Sequence, residues 1–231
     1  LQNEGDSGTD MDAGFSLAFT DGSKLDVLNA GNASGSHDIS IPGSAGNESV
    51  TITTSNNAPT GLDFATGSTV YGVEYHTAAD FMADGLSMSF SASTDDGASS
   101  TSTYSNDGHV AIGATYVTDA GDTAITMGAG FSQTEGARVG TAMTADEGGI
   151  HVGISAVTGD LTVAVGFADG DRNGLGTYRS TDSYDGEVMK AGVKYVSGDL
   201  TFNVGIASGE AKDGVIGTAG TTTDSKDVTS A

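Results

Sequence analysis

Cysteine and tryptophan are absent from this 231-residue chain, proline occurs twice, and 8 basic residues face 31 acidic ones for a net charge of −23. Without cysteine there is no disulfide scaffold and no thiolate metal site, but the compartment stays open, since an envelope protein can do without disulfides. The shortage of Lys and Arg argues against a nucleic-acid partner or a polyanionic ligand, because phosphate binding needs a basic footprint. Cations, or simple solubility, suit such a surface better. A run of about 18 apolar residues is also missing, which excludes a transmembrane helix. It does not exclude a β-barrel, whose alternating strands leave a far weaker hydropathy signal. No signal peptide is visible and the chain begins with Leu1 rather than Met, as a mature protein or a fragment would.

What the sequence has in quantity is glycine, 36 residues of it, and two-residue alternation. The pattern is clearest between Gly148 and Glu210, where two copies of one motif lie 39 residues apart, at 149–167 and 188–206. In the first copy Ile150, Val152, Ile154 and Ala156 are followed by Leu161, Val163, Val165 and Phe167. In the second, Met189, Ala191, Val193 and Tyr195 are followed by Leu200, Phe202, Val204 and Ile206. A period of two is that of a strand with one apolar face. Thr158-Gly159-Asp160 and Ser197-Gly198-Asp199 supply the Gly and Asp of tight turns, so each copy predicts a β-hairpin.

The rest of the chain repeats this design. Hairpins are expected from Met11 to Val27 around Asp21-Gly22, from Tyr71 to Ala92 around Asp84-Gly85, and from Val110 to Phe131 around residues 119–122. That makes ten strands. Short connections near 20–23, 77–85, 118–122, 157–160 and 196–199 interleave with long ones at 29–68, 95–107, 132–147, 168–187 and 209–231. A sandwich has no reason to sort its loops in this way, whereas a membrane barrel does. Residues 29–68, rich in Asn, Ser, Gly and Thr and without sustained periodicity, are long for a structureless connection and are therefore expected to be functional or disordered. The expected fold class is all-β, an antiparallel transmembrane barrel, with 1–231 forming a single barrel domain or part of one.

The non-apolar strand positions carry Gly153, Ser155, Thr162, Gly166, Thr201 and Gly205 with few charges, where a soluble domain would place more Lys and Glu. Tyr116, Tyr195 and Phe202 near the short turns, and Phe131 and Phe167 near the long loops, sit where interfacial girdles lie. The segment from Gly192 to Phe202, repeated at about 40 residues, resembles Gram-negative general porins, particularly the alphaproteobacterial ones; the likeness is one of pattern, good over 69–210 and loose over 11–68. That resemblance implies an outer-membrane location, contact with lipid and lipopolysaccharide, and a 16-stranded homotrimer whose third long loop narrows the lumen. By analogy 29–68 would be the constriction loop. Ten strands is fewer than the family has, and Asp227–Ala231 lacks a terminal strand ending in an aromatic residue. Either strands are missing from both ends of this chain, which is the preferred reading, or it closes as a smaller barrel.

Under this reading Glu74, His76, His151, Lys190, Lys194 and Asn203 line the pore by strand parity, with Asp26, Asp38, Glu48 and Asp63 as candidates at the constriction. Charge clusters set ion preference in such channels, and the acid surplus predicts passage of cations along with small hydrophilic solutes. The Asp-Gly pairs at 96–97, 107–108, 169–171 and 185–186 lack the nonapeptide period of calcium-binding repeats and read as turn chemistry. No cofactor or dedicated metal site is expected, although acidic loops offer weak oxygen ligands to Ca2+. Nothing suggests an enzyme: the four His have no Cys partner, and neither a Gly-x-Ser-x-Gly elbow nor a His-Glu-x-x-His helix occurs. The competing reading is a secreted or surface-anchored acidic β protein, an adhesin or calcium-dependent solenoid.

Overall fold

The computed structural model describes residues 14–27, 32–43, 72–93, 109–134, 138–139, 142–143, 147–173, 183–212, 214–215, 222–223 and 226–230. Strands account for most of them. In chain order they are β1 (Phe15–Ala18), β2 (Lys24–Val27), β3 (Gly72–His76), β4 (Leu86–Ser93), β5 (His109–Ala120), β6 (Thr123–Thr134), β7 (Arg138–Val139) and β8 (Ala142–Met143). They continue with β9 (Glu147–Thr158), β10 (Leu161–Asn173), β11 (Ser183–Ser197), β12 (Leu200–Lys212), β13 (Gly214–Val215), β14 (Thr222–Thr223) and β15 (Lys226–Ser230). A single 3-10 turn, Gly35–His37, is the helical exception among the described residues.

Eleven strands form one sheet in the order β1-β2-β3-β4-β5-β6-β9-β10-β11-β12-β15, while β7–β8 and β13–β14 are small separate ribbons. Every neighbouring pair in the large sheet is antiparallel. The sheet is thus an up-and-down meander whose short turns collect at one end. Among the described residues β1 and β15 do not pair, and the sheet is open.

The tight turns follow from their glycines. Gly121, Gly159 and Gly198 have φ of 64, 55 and 60°, while the Asp after each has no positive φ. Only the first central residue being left-handed is the type II′ geometry, whose twist matches that of the flanking strands. The ten anticipated strands are all present, with β15 as an eleventh. Several run further than the alternation does. The span expected as a loop at 168–187 is ladder as far as Asn173 and again from Ser183, and β12 continues to Lys212. Asp169-Gly170-Asp171 and Asp185-Gly186 therefore lie opposite one another in β10 and β11, not in turns. Backbone pairing propagates along a hairpin until a turn ends it, and the apolar period marks only which stretch is dry.

The sheet has one apolar, exposed face and one polar face that is partly covered. Among the described residues 27 large apolar side chains are exposed, against seven buried hydrophobic ones. Neighbours by register, such as Met127 and Ile154, Val163 and Val193, or Tyr195 and Phe202, make the exposed apolar surface continuous across strands. Buried on the opposite face are Asp26, Glu74, Ser89, Ser91, His109, Ser132, His151 and Lys190, with Ala111, Ala164 and Ala168.

Candidate functional site at the covered polar face

What covers the polar face is the chain itself. Residues 32–43 cross it roughly at right angles to the strands. Ala33 lies over Gly113 of β5, the His37 carbonyl over Gly128 of β6, Ile39 over Gly153 of β9, Pro42 over Gly192 of β11 and Gly43 over Gly205 of β12. A Cβ placed on Gly113, Gly128, Gly192 or Gly205 would collide with the backbone of this strap. Gly128, Gly153 and Gly166 are in mutual register, and Gly192 faces Gly205. The glycines thus form a trough one backbone deep, the close approach that only glycine permits.

The strap begins with an Asx-type turn, the Ser34 amide donating to Asn32 Oδ1 at 3.0 Å. The 3-10 turn follows, with the His37 amide bonded to the Ser34 carbonyl at 3.1 Å. Beyond it the chain is extended, and His37, Ile39 and Ile41 are buried against the sheet while Asp38 and Ser40 are exposed. Ile39 and Ile41 join Ala164, Ala168 and Val188 in an apolar cluster under the strap. Burying two isoleucines contributes about 3–6 kcal/mol to docking as an upper bound.

Polar pairs fix the rest. The Ala33 amide donates to Ser91 Oγ at 3.0 Å. His151, buried in β9, donates Nε2–H to the Ser34 carbonyl at 3.0 Å, and its Nδ1 lies 3.8 Å from Asp38 Oδ1. Asp38 also acts electrostatically on the Lys190 ammonium. At the other end Ser36 Oγ donates to Glu74 Oε1 at 3.4 Å. His37 is held on both nitrogens, Nδ1 2.7 Å from Thr115 Oγ1 and Nε2 2.9 Å from Ser89 Oγ. Burial pushes its pKa down, and the neighbouring His76 and His151 add to this. The wall is acidic toward β2–β3 and basic toward β9–β11, and the strap turns Ser36 and His37 to the first side and Asp38 to the second.

On the acidic side Asp26 of β2 lies 2.7 Å from Lys24 Nζ and 3.2 Å from His76 Nε2, and it accepts a short hydrogen bond from Ser16. His76 Nε2 is 3.6 Å from Glu74 Oε1, while its Nδ1 is 2.9 Å from Ser89 Oγ.

Of the expected lining residues, Glu74, His76, His151 and Lys190 lie on this face beneath or beside the strap. Lys194 and Asn203 share the face as a register pair but are exposed, nearer the short turns. Asp38 is on the strap. Asp26, grouped with the constriction residues, belongs instead to the wall, because β2 extends through Val27 and its parity turns Asp26 inward. Glu48 and Asp63 lie outside the described residues. Sequence reasoning put Gly153, Gly166 and Gly205 on this face but did not anticipate that His37, Ile39 and Ile41 cross it over a glycine trough; a short His-x-Ile-x-Ile alternation was the available signal. No family model, curated protein or solved structure matches this chain.

Proposed function

We propose that this chain forms wall and constriction of an outer-membrane porin in a Gram-negative bacterium, passing ions and small hydrophilic solutes by passive diffusion. The observation that carries this is the inversion of the sheet. A soluble domain does not leave a continuous apolar face across ten strands while covering its polar face with its own backbone. Lipid is the solvent for the first face, and a narrowed aqueous lumen accounts for the second. The strap, which belongs to the expected constriction loop, lies on the proposed lumen side, with unlike charges facing each other across it. Assembly as a homotrimer in contact with lipopolysaccharide is part of the same proposal.

Cation preference follows from the whole-chain charge more than from the strap's surroundings, where Asp26, Asp38 and Glu74 stand against Lys24 and Lys190. A surface-anchored acidic adhesin is the weaker reading, and a solenoid weaker still, since the ladders are antiparallel and solenoid coils stack in parallel. Planar-bilayer recording on the detergent-extracted protein tests the proposal. Discrete conductance steps, reversal potentials on the cation side in a salt gradient and heat-modifiable migration are expected. A protein that stays soluble and monomeric without detergent and gives no steps overturns it.

A further inference from the structure

We infer that Asp26, Glu74 and His76 form a binding site for a divalent transition-metal ion of the Zn2+ class, linked through Ser89 to His37 of the strap. Ligand atoms from the three residues all lie within 4.8 Å of one another. Each comes from a strand, which holds it more firmly than a loop would. Asp26 and Glu74 have only 7 and 4 % of their side-chain surface exposed, whereas His76 at 26 % and Lys24 at 45 % leave a way in.

The donor chemistry selects the ion. One imidazole with two carboxylates suits zinc and its neighbours, whereas calcium and magnesium prefer oxygen alone and more of it. A ligating His characteristically has its second ring nitrogen fixed by another group, and Ser89 Oγ stands 2.9 Å from His76 Nδ1 in that role. The Lys24 ammonium lies 2.7 Å from Asp26 Oδ2. A metal ion would displace it, and its exposed stem lets it swing into solvent.

The link to the strap follows from counting protons. Ser89 has one hydroxyl hydrogen and two acceptor lone pairs and lies 2.9 Å from each of two imidazoles, so it donates to at most one ring at a time. With His76 Nε2–H directed at the carboxylates, Ser89 donates to His76 Nδ1 and accepts from His37 Nε2–H, and Thr115 donates to His37 Nδ1. A metal on His76 Nε2 requires the hydrogen on Nδ1, so Ser89 accepts from His76 and its own hydrogen is freed to point at His37 Nε2; in the proposed link it does so, the row reverses and His37 carries its hydrogen on Nδ1. The hydrogen lost from His76 Nε2 is matched by the one gained on Nδ1, so no net proton is taken up or released. The metal site and the strap are thus one hydrogen-bonded unit, and occupancy is read out at His37.

This goes beyond the channel reading, and its test needs no conductance, so either can fail alone. Zn2+ is titrated calorimetrically into the folded full chain, with 15N spectra of the imidazoles recorded in parallel. The expected result is one site whose affinity falls about tenfold or more in His76→Asn and in Ser89→Ala and rises in Lys24→Met, with neither Ca2+ nor Mg2+ competing. The His37 nitrogen shifts exchange between the two tautomers on saturation. Zn2+ binding that is absent, unchanged in His76→Asn, or weakened by Lys24→Met overturns the site. Binding without a change at His37 overturns the link.

Discussion

At the scale of single residues, what matters most on the covered face is side chains that are not there. Gly192 sits directly under the Pro42 carbonyl, with Ile41 beside it. Gly192→Ala therefore leaves the β11–β12 ladder intact but forces the strap off the wall, at a cost of about 1–3 kcal/mol. Limited proteolysis checks this: cleavage within 32–43 rises while the strands stay protected. Gly148→Ala, whose nearest obstruction is 3.1 Å away at the Ser132 carbonyl, is the milder control. His37 supplies the second prediction. Its folded pKa lies below the ordinary histidine value, so docking favours the neutral ring. Its contribution is complete above the undocked pKa of about 6.5 and is lost as pH falls through the depressed folded value. Proteolysis of the strap is expected to increase between pH 7 and 5, and His37→Gln, which cannot charge, is expected to remove that dependence.

At the scale of elements, the hairpins were legible because alternation and turn chemistry point to the same residues. Leu161 to Phe167 alternate, Gly159 closes the turn, and the register pairs Val165 with Ile154 accordingly. Strand ends were not legible where pairing outlasts the apolar period, as at Asp169–Asp171. The strap was hidden for a different reason. Its five-residue alternation is too short to stand out, and its partner is a set of glycines from five strands whose adjacency exists only after the sheet forms. Lys24, Asp26, Glu74 and His76 could be placed on one face by parity, but parity does not reveal that Ser89 bridges to residue 37. The turns give a prediction of their own. Gly159→Val puts a β-branched residue at φ 55°, which is strained at a cost of about 1–2 kcal/mol. Refolding yield and thermal stability of the β9–β10 hairpin, followed by hydrogen exchange, should fall, while Asp160→Asn should change little because Asn is at home in such turns.

At the scale of the whole molecule, eleven antiparallel strands impose a parity condition. Their outermost members, β1 and β15, run in the same direction, so this sheet alone cannot close with an antiparallel seam. A fully antiparallel barrel needs an odd number of further strands. The deeper question is which solvent the exposed apolar face meets, and one substitution separates the answers. Val163 lies mid-strand in β10, 41 % exposed, among Ala156, Val193 and other apolar neighbours of the same face. In water, Val163→Arg would relieve an exposed apolar patch and leave stability unchanged or slightly raised, because a surface strand accepts a long charged side chain. In a bilayer the same change costs about 2–4 kcal/mol near the midplane. Lys194→Arg, on the opposite face of the adjacent strand, should be neutral in either case. Folding titrations in urea into phospholipid vesicles are therefore expected to show Val163→Arg strongly destabilised and Lys194→Arg unaffected. Equal stability of the two variants in vesicles would mean that the apolar face is covered by protein and not by lipid, and the porin reading would fall with it.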